Sequence, residues 1–103
     1  MQHINQNDIP EELYTIPVVI YGGAYMGRRI IDLLTSRGGV KIQYIIDDNE
    51  MLQGTYIKNI KVISYKQFIE YSEKNKVIAA IITTVYAKGV YAKLKKIPNI
   101  QIY

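Results

Sequence analysis

The residues with the clearest chemical potential are Gly22, Gly23, Ala24, Tyr25, Met26 and Gly27, a glycine-rich turn between the apolar run Ile16 to Tyr21 and a segment with apolar residues at Met26, Ile30, Ile31, Leu33 and Leu34. That pattern is strand, tight turn, helix. Glycines let the backbone take φ > 0 and let the helix sit close to the strand, so the first helical amides emerge without side-chain cover. Unpaired N–H groups and the positive end of the helix dipole then make a site for a phosphate-sized anion.

Two further positions fall in register with this cradle. Asp47 stands twenty residues after Gly27, at the tip of the second expected strand, where a carboxylate can accept hydrogen bonds from ribose hydroxyls. Asp48 follows it, and Thr83 follows the apolar run Val77 to Ile82, at the carboxyl end of another strand. As a dinucleotide fingerprint the turn gives Gly22, then Ala24 in place of the second glycine, then Gly27; the methyl group narrows the approach to a pyrophosphate. A structural reading stands beside the functional one: the glycines serve strand–helix packing, and Asp47 with Asp48 forms a solvated turn. The expected ligand is NAD or NADP, with CoA or a nucleotide-sugar behind them. Asp47 would disfavour a 2′-phosphate unless Arg28 or Arg29 reached round to offset it.

Other constellations are poorer. Asp47, Asp48 and Glu50 are three acids in one loop, a pattern more often solvated than metal-bound, so no metal site is expected. The lone histidine, His3, has no second ligand near it in sequence. Tyr25 could stack on a ring or simply pack. No nucleophile stands beside a base and no carboxylates oppose each other, so no catalytic set is visible.

The elements that must position these residues follow from periodicity. Residues 1–15 read as a polar lead-in, and residues 16–103 as one domain. Strands are expected over 16–21, 41–46, 57–63, 77–82 and 99–103, the third approached by a tight bend at Asn59. Helices are expected from Met26 to Arg37, ended by Gly38-Gly39, and from the capping box Ser64-Tyr65-Lys66-Gln67 to about residues 74–76. A third, capped by Thr83-Thr84, carries Ala87, Val90, Tyr91, Leu94 and Ile97 and is stopped by Pro98. The two fully apolar runs, strands one and four, belong side by side in the middle of a mostly parallel α/β sheet of order 3-2-1-4-5. The glycine turn and Thr83-Thr84 then share the topological switch point, where open α/β sheets bind ligands.

Composition narrows the classes. The chain has 103 residues, no cysteine and a formal charge of +4, enough for one core burying roughly 60–70 % of the unfolded surface. Disulfides, thiolate zinc sites and cysteine nucleophiles are excluded. No apolar run approaches the ~20 residues of a membrane helix, and there is no signal-peptide pattern, so a cytoplasmic domain is expected. The basic residues are scattered apart from Lys93, Lys95 and Lys96 at a helix end, so nucleic acid is not an expected partner.

Residues 20 to 27 (Ile-Tyr-Gly-Gly-Ala-Tyr-Met-Gly), Ile-Ile-Asp-Asp-Asn at 45 to 49, Gly54, Ile60-Lys61-Val62-Ile63-Ser64 and Val77-Ile78-Ala79-Ala80-Ile81 together resemble the Rossmann-type domain that precedes the catalytic domain in membrane-associated nucleotide-sugar dehydratases and dehydrogenases of polysaccharide biosynthesis. The resemblance implies a three-layer Rossmann-like fold with three main helices, in a piece of a longer chain anchored to the inner membrane, its catalytic residues in a following short-chain-dehydrogenase-type domain. The implied partners are a nucleotide ligand and that catalytic domain; a homodimer is a further option, and a membrane enters only through parts absent here. The family's turn commonly reads Gly-Ala-Gly-x-x-Gly, from which Gly23-Ala24 departs; only Gly22, Gly27 and Asp47 carry over as nucleotide contacts. A similar start occurs in sugar-nucleotide acyltransferases and CoA-binding domains, so a sugar-nucleotide-holding acyltransferase domain and a structural dimerisation module stay open as alternatives.

Overall fold

The computed structural model describes Ile4 and residues 8–103; His3 lies outside them. A short 3-10 turn, Glu11–Tyr14, leads into β1 (Val18–Tyr21), α1 (Tyr25–Arg37), β2 (Ile42–Ile46), β3 (Tyr56–Ile57), β4 (Ile60–Ile63), α2 (Tyr65–Ser72), β5 (Ile78–Ile82), α3 (Ala87–Leu94) and β6 (Ile100–Ile102). The strands form one sheet of order β3-β4-β2-β1-β5-β6. All neighbours are parallel except β3 and β4.

The sheet has six strands rather than the expected five, and its order differs by an added edge strand. The stretch read as a single strand over 57–63 is a tight antiparallel hairpin, with Ile57 opposite Ile60. Lys58 and Asn59 between them have φ of 50° and 68°, as a two-residue primed turn requires. Asparagine tolerates that region, whereas lysine is an uncommon occupant, so the turn lacks the Asn-Gly or Asp-Gly signature by which hairpins are recognised.

The central strands owe their place to being apolar on both faces. All four residues of β1 are buried, and alternate side chains feed opposite layers. Val18 and Ile20 pack with Ile31 and Leu34 of α1, together with Ile45, Val62, Ala79 and Ile81. Val19 and Tyr21 pack on the other face with Phe68 of α2 and Val90 and Leu94 of α3. Each fully buried aliphatic side chain here contributes about 1.5–3 kcal/mol, so the two middle strands dominate the core. Leu13 of the lead-in is also fully buried in the α1 layer, alongside Tyr103.

Helix α2 starts with the expected capping box: Ser64 Oγ accepts from the Gln67 amide at 3.1 Å and Gln67 Oε1 from the Ser64 amide at 2.9 Å. It closes at Ser72, short of residues 74–76. Helix α3 is not capped by Thr83-Thr84. Its N-cap is Tyr86, with no side-chain cap. Thr83 is drawn to the backbone of β1 instead, and Thr84 Oγ1 accepts the Tyr86 amide at 3.3 Å.

Candidate functional site

The chain turns sharply at the end of β1. The Gly22 amide donates to Ile46 O at 2.8 Å, prolonging the β1–β2 ladder by one residue, and Gly22 has φ +122°, a conformation open to glycine. Gly27 in the first turn of α1 is required by proximity: a Cβ there would lie 1.9 Å from Gly22 O. The two glycines therefore press the start of α1 against the end of β1.

At the N-terminus of α1 the N-cap is Ala24, with no side-chain hydrogen bond to the first turn. The amides of Tyr25, Met26 and Gly27 are left without a capping acceptor, and the dipole adds partial positive charge. The aromatic ring of Tyr25 does not close over them. It is 69 % exposed and lies with the Arg29 guanidinium carbon 5.7 Å from its centroid, one turn along the helix.

The opposite wall comes from β5. Thr83 Oγ1 lies 3.0 Å from Tyr21 O and 2.9 Å from Gly22 O, so its hydroxyl ties the end of β5 to the glycine turn. The β1–β5 crevice opens there, because the connection after β1 leads to β2 on one side while α2 returns the chain to β5 on the other. A cleft of about 490 Å³ sits at this point, lined by Tyr21, Gly22, Ala24, Tyr25, Met26, Asp47, Asp48, Asn49, Thr83, Thr84, Val85, Tyr86 and Val90. Seven of the nine residues singled out from sequence, Gly22, Ala24, Tyr25, Met26, Asp47, Asp48 and Thr83, line it. Gly23 is buried behind the turn, and Gly27 on the face of α1 that meets the end of β1. Thr84, expected at the switch point with Thr83, lines the cleft too, whereas Asn49, Val85 and Tyr86 were not foreseen. Val85 and Tyr86, 90 % and 78 % exposed, follow the carboxyl end of a central strand, a position that was itself the available signal.

Asp47 stands at the tip of β2, and both its oxygens are engaged by the chain itself. Oδ2 accepts the buried Gly23 amide at 2.8 Å and Oδ1 the Asn49 amide at 2.9 Å. A carboxylate has about four acceptor sites, so one on each oxygen remains. Asp48 belongs to another network: Tyr21 OH donates to its Oδ1 at 2.8 Å, and Lys93 Nζ donates to Tyr21 OH at 3.1 Å and lies 3.7 Å from Asp48 Oδ2. The Lys93 ammonium also sits 4.6 Å from the Tyr65 ring centroid. Burial, and then the hydrogen bond to Asp48, raise the Tyr21 hydroxyl well above the ordinary tyrosine range. Tyr21 is thus a neutral donor bracing the cleft floor, and no base for proton abstraction at neutral pH.

Among the described residues no group of three or more histidine, aspartate or glutamate side chains could hold a metal ion, and no helix is long and apolar enough to cross a membrane.

No family model matches the chain, and no curated protein matches it. Solved structures do. UDP-D-quinovosamine 4-dehydrogenase from Vibrio fischeri superposes with a TM-score of 0.69 at 18 % identity, over 84 % of this chain and 75 % of that one. RSP, a Rex-family repressor, superposes with a TM-score of 0.72 at 20 % identity. RSP in complex with β-NADH gives 0.69 at 22 %. Both repressor structures cover 86 % of this chain, which spans 45 % and 46 % of theirs. The fold is Rossmann-like. In a Rossmann-like sheet the crevice outside the carboxyl ends of the strands, at the point where strand order reverses, is the place for a ligand, and here that crevice holds Gly22, Thr83 and the start of α1.

Proposed function

We propose that the chain is a nucleotide-binding module that holds NAD or NADP and leaves the chemistry to a catalytic domain with which it works. The observation that carries this reading is the start of α1 at the switch point, where the first turn has no side-chain cap and Ala24, Tyr25 and Met26 line the open cleft. A pyrophosphate docked there would gain charge-assisted hydrogen bonds and the helix dipole together. The mainly apolar lips, Ala24, Tyr25, Met26, Val85 and Tyr86, suit a planar ring, and Asp47 would offer its remaining lone pairs to a ribose. Asp48 and Thr83 shape the floor, with Gly22, Gly23 and Gly27 setting the turn.

The finer reading is an accessory domain of a nucleotide-sugar dehydratase or dehydrogenase of surface polysaccharide biosynthesis. The sequence motifs and the likeness in fold to a UDP-sugar dehydrogenase support it. Titration calorimetry with NAD⁺, NADP⁺, CoA and a UDP-sugar tests the module reading. Binding of a dinucleotide, weakened in Asp47→Ala, supports it. Heat from the UDP-sugar alone would favour a sugar-nucleotide holder, and no heat from any of the four at millimolar concentration would leave a structural module.

A further inference from the structure

A second groove opens on the far side of Tyr25, between α1 and the β3–β4 hairpin. It has a volume of about 430 Å³ and is lined by Tyr25, Arg28, Arg29, Asp32, Tyr56, Ile57 and Lys58. Tyr25 lines both this groove and the cleft at the switch point, so the two are adjoining compartments of one surface.

The groove holds three cations, Arg28, Arg29 and Lys58, against one carboxylate, Asp32. That carboxylate is paired with Lys58 at 2.9 Å, with 40 % of the lysine side chain and 63 % of the aspartate exposed. An ion pair so exposed is worth only about 0–1 kcal/mol, too little to withhold the ammonium from a better anion. Arg29 is braced by the Tyr25 ring, and Tyr56, 66 % exposed, stands on the hairpin side. A concave site with an excess of positive charge focuses a field that a doubly charged phosphate monoester would satisfy. Asp32, the carboxylate in the groove, is paired with Lys58, and Asp47, outside its lining, has one contact to a backbone amide on each oxygen.

Resting on the nucleotide reading above, we infer that this groove is a subsite for a ribose phosphate monoester, so that the module takes a nucleotide carrying a third phosphate beyond its pyrophosphate. Arg28 and Lys58 hold the monoester, Arg29 supports it from the Tyr25 ring, and the pyrophosphate stays at the start of α1. Two ligands share this chemistry: NADP, with a 2′-phosphate, and CoA, with a 3′-phosphate.

The test compares matched pairs by calorimetry on the full chain: NADP⁺ against NAD⁺, and CoA against dephospho-CoA. The phosphorylated member of one pair should bind at least about tenfold more tightly, the scale of one or two hydrogen bonds to a charged group. The preference should shrink as salt is raised. In the R28Q/K58Q double variant, checked for folding by circular dichroism, the ratio should fall toward one, and R28K should restore part of it. A preference confined to the first pair identifies the 2′-phosphate, and one confined to the second the 3′-phosphate. Equal affinities within both pairs, or a preference that survives in R28Q/K58Q, overturn the subsite while leaving the nucleotide reading standing. No binding of any of the four overturns both.

Discussion

The Gly23 amide and the Asp47 carboxylate are joined at 2.8 Å across twenty-four residues of sequence. The acid at the tip of β2 therefore clamps the glycine turn as well as facing the cleft. The amide it accepts belongs to a buried residue, so removing the acceptor leaves that donor unsatisfied.

Asp47→Ala should lower stability by about 1–3 kcal/mol in urea denaturation and weaken dinucleotide binding. Asp47→Asn keeps an oxygen for Gly23 and should recover most of the stability. A full loss of stability in Asp47→Asn would mean that the charge, and not the acceptor, holds the turn.

Gly27→Ala puts a methyl group 1.9 Å from the Gly22 carbonyl oxygen, where backbone rather than a flexible side chain must give way. The expected cost is about 1–3 kcal/mol or more, with α1 pushed off β1 and nucleotide affinity lost. A variant as stable as the parent in thermal denaturation would contradict the close approach.

Tyr21→Phe deletes a hydroxyl that bridges Asp48 and Lys93. A loss of about 0.5–1.5 kcal/mol is expected. The folded-state value of this hydroxyl is raised by burial and then by Asp48, so its contribution is fully present below the unfolded tyrosine value near 10 and is lost as pH rises through the folded one. The stability gap between parent and Tyr21→Phe should be constant at neutral pH and close in strong alkali.

The Glu12 carboxyl is held below the usual carboxylate range, chiefly by the hydrogen bond from the Tyr103 hydroxyl. A lowered folded value gives stability that is present above the unfolded value, roughly pH 4.3, and lost as pH falls through the folded one. Parent and Glu12→Gln melting temperatures should differ at pH 7 and converge in acid. A gap independent of pH would show that the Glu12 charge plays no part.

Much of the fold was legible because burial on two faces leaves an unmistakable pattern: Val18 to Tyr21 and Ile78 to Ile82 are apolar without break. The Ser64 capping box was equally plain, since its two hydrogen bonds need only residues three apart. The hairpin at Lys58-Asn59 was legible in part: Asn59 marked a tight bend, and its φ of 68° agrees, but without a glycine nothing marked a two-residue turn between two strands. Thr83 was misread as a helix cap for a related reason. A threonine after a strand can serve its own chain or its neighbour, and only the approach of β1 shows that Tyr21 O and Gly22 O claim it. Of the site, the glycine turn and Asp47 could be read from spacing. Arg28 and Arg29 were read there only as residues able to reach a 2′-phosphate; that Lys58 joins them in a groove could not be read, since Lys58 meets α1 only through the hairpin.

The open amides at the start of α1 carry the nucleotide reading, and amide-resolved NMR observes them directly. In a titration of the uniformly ¹⁵N-labelled chain with NAD⁺, the resonances of Gly22 through Gly27 should move saturably, and those of a separate groove lined by Tyr65, Ile69, Pro98 and Asn99 should stay in place. Saturable shifts centred on Tyr65, Ile69 and Asn99, with the glycine turn unmoved, would contradict it.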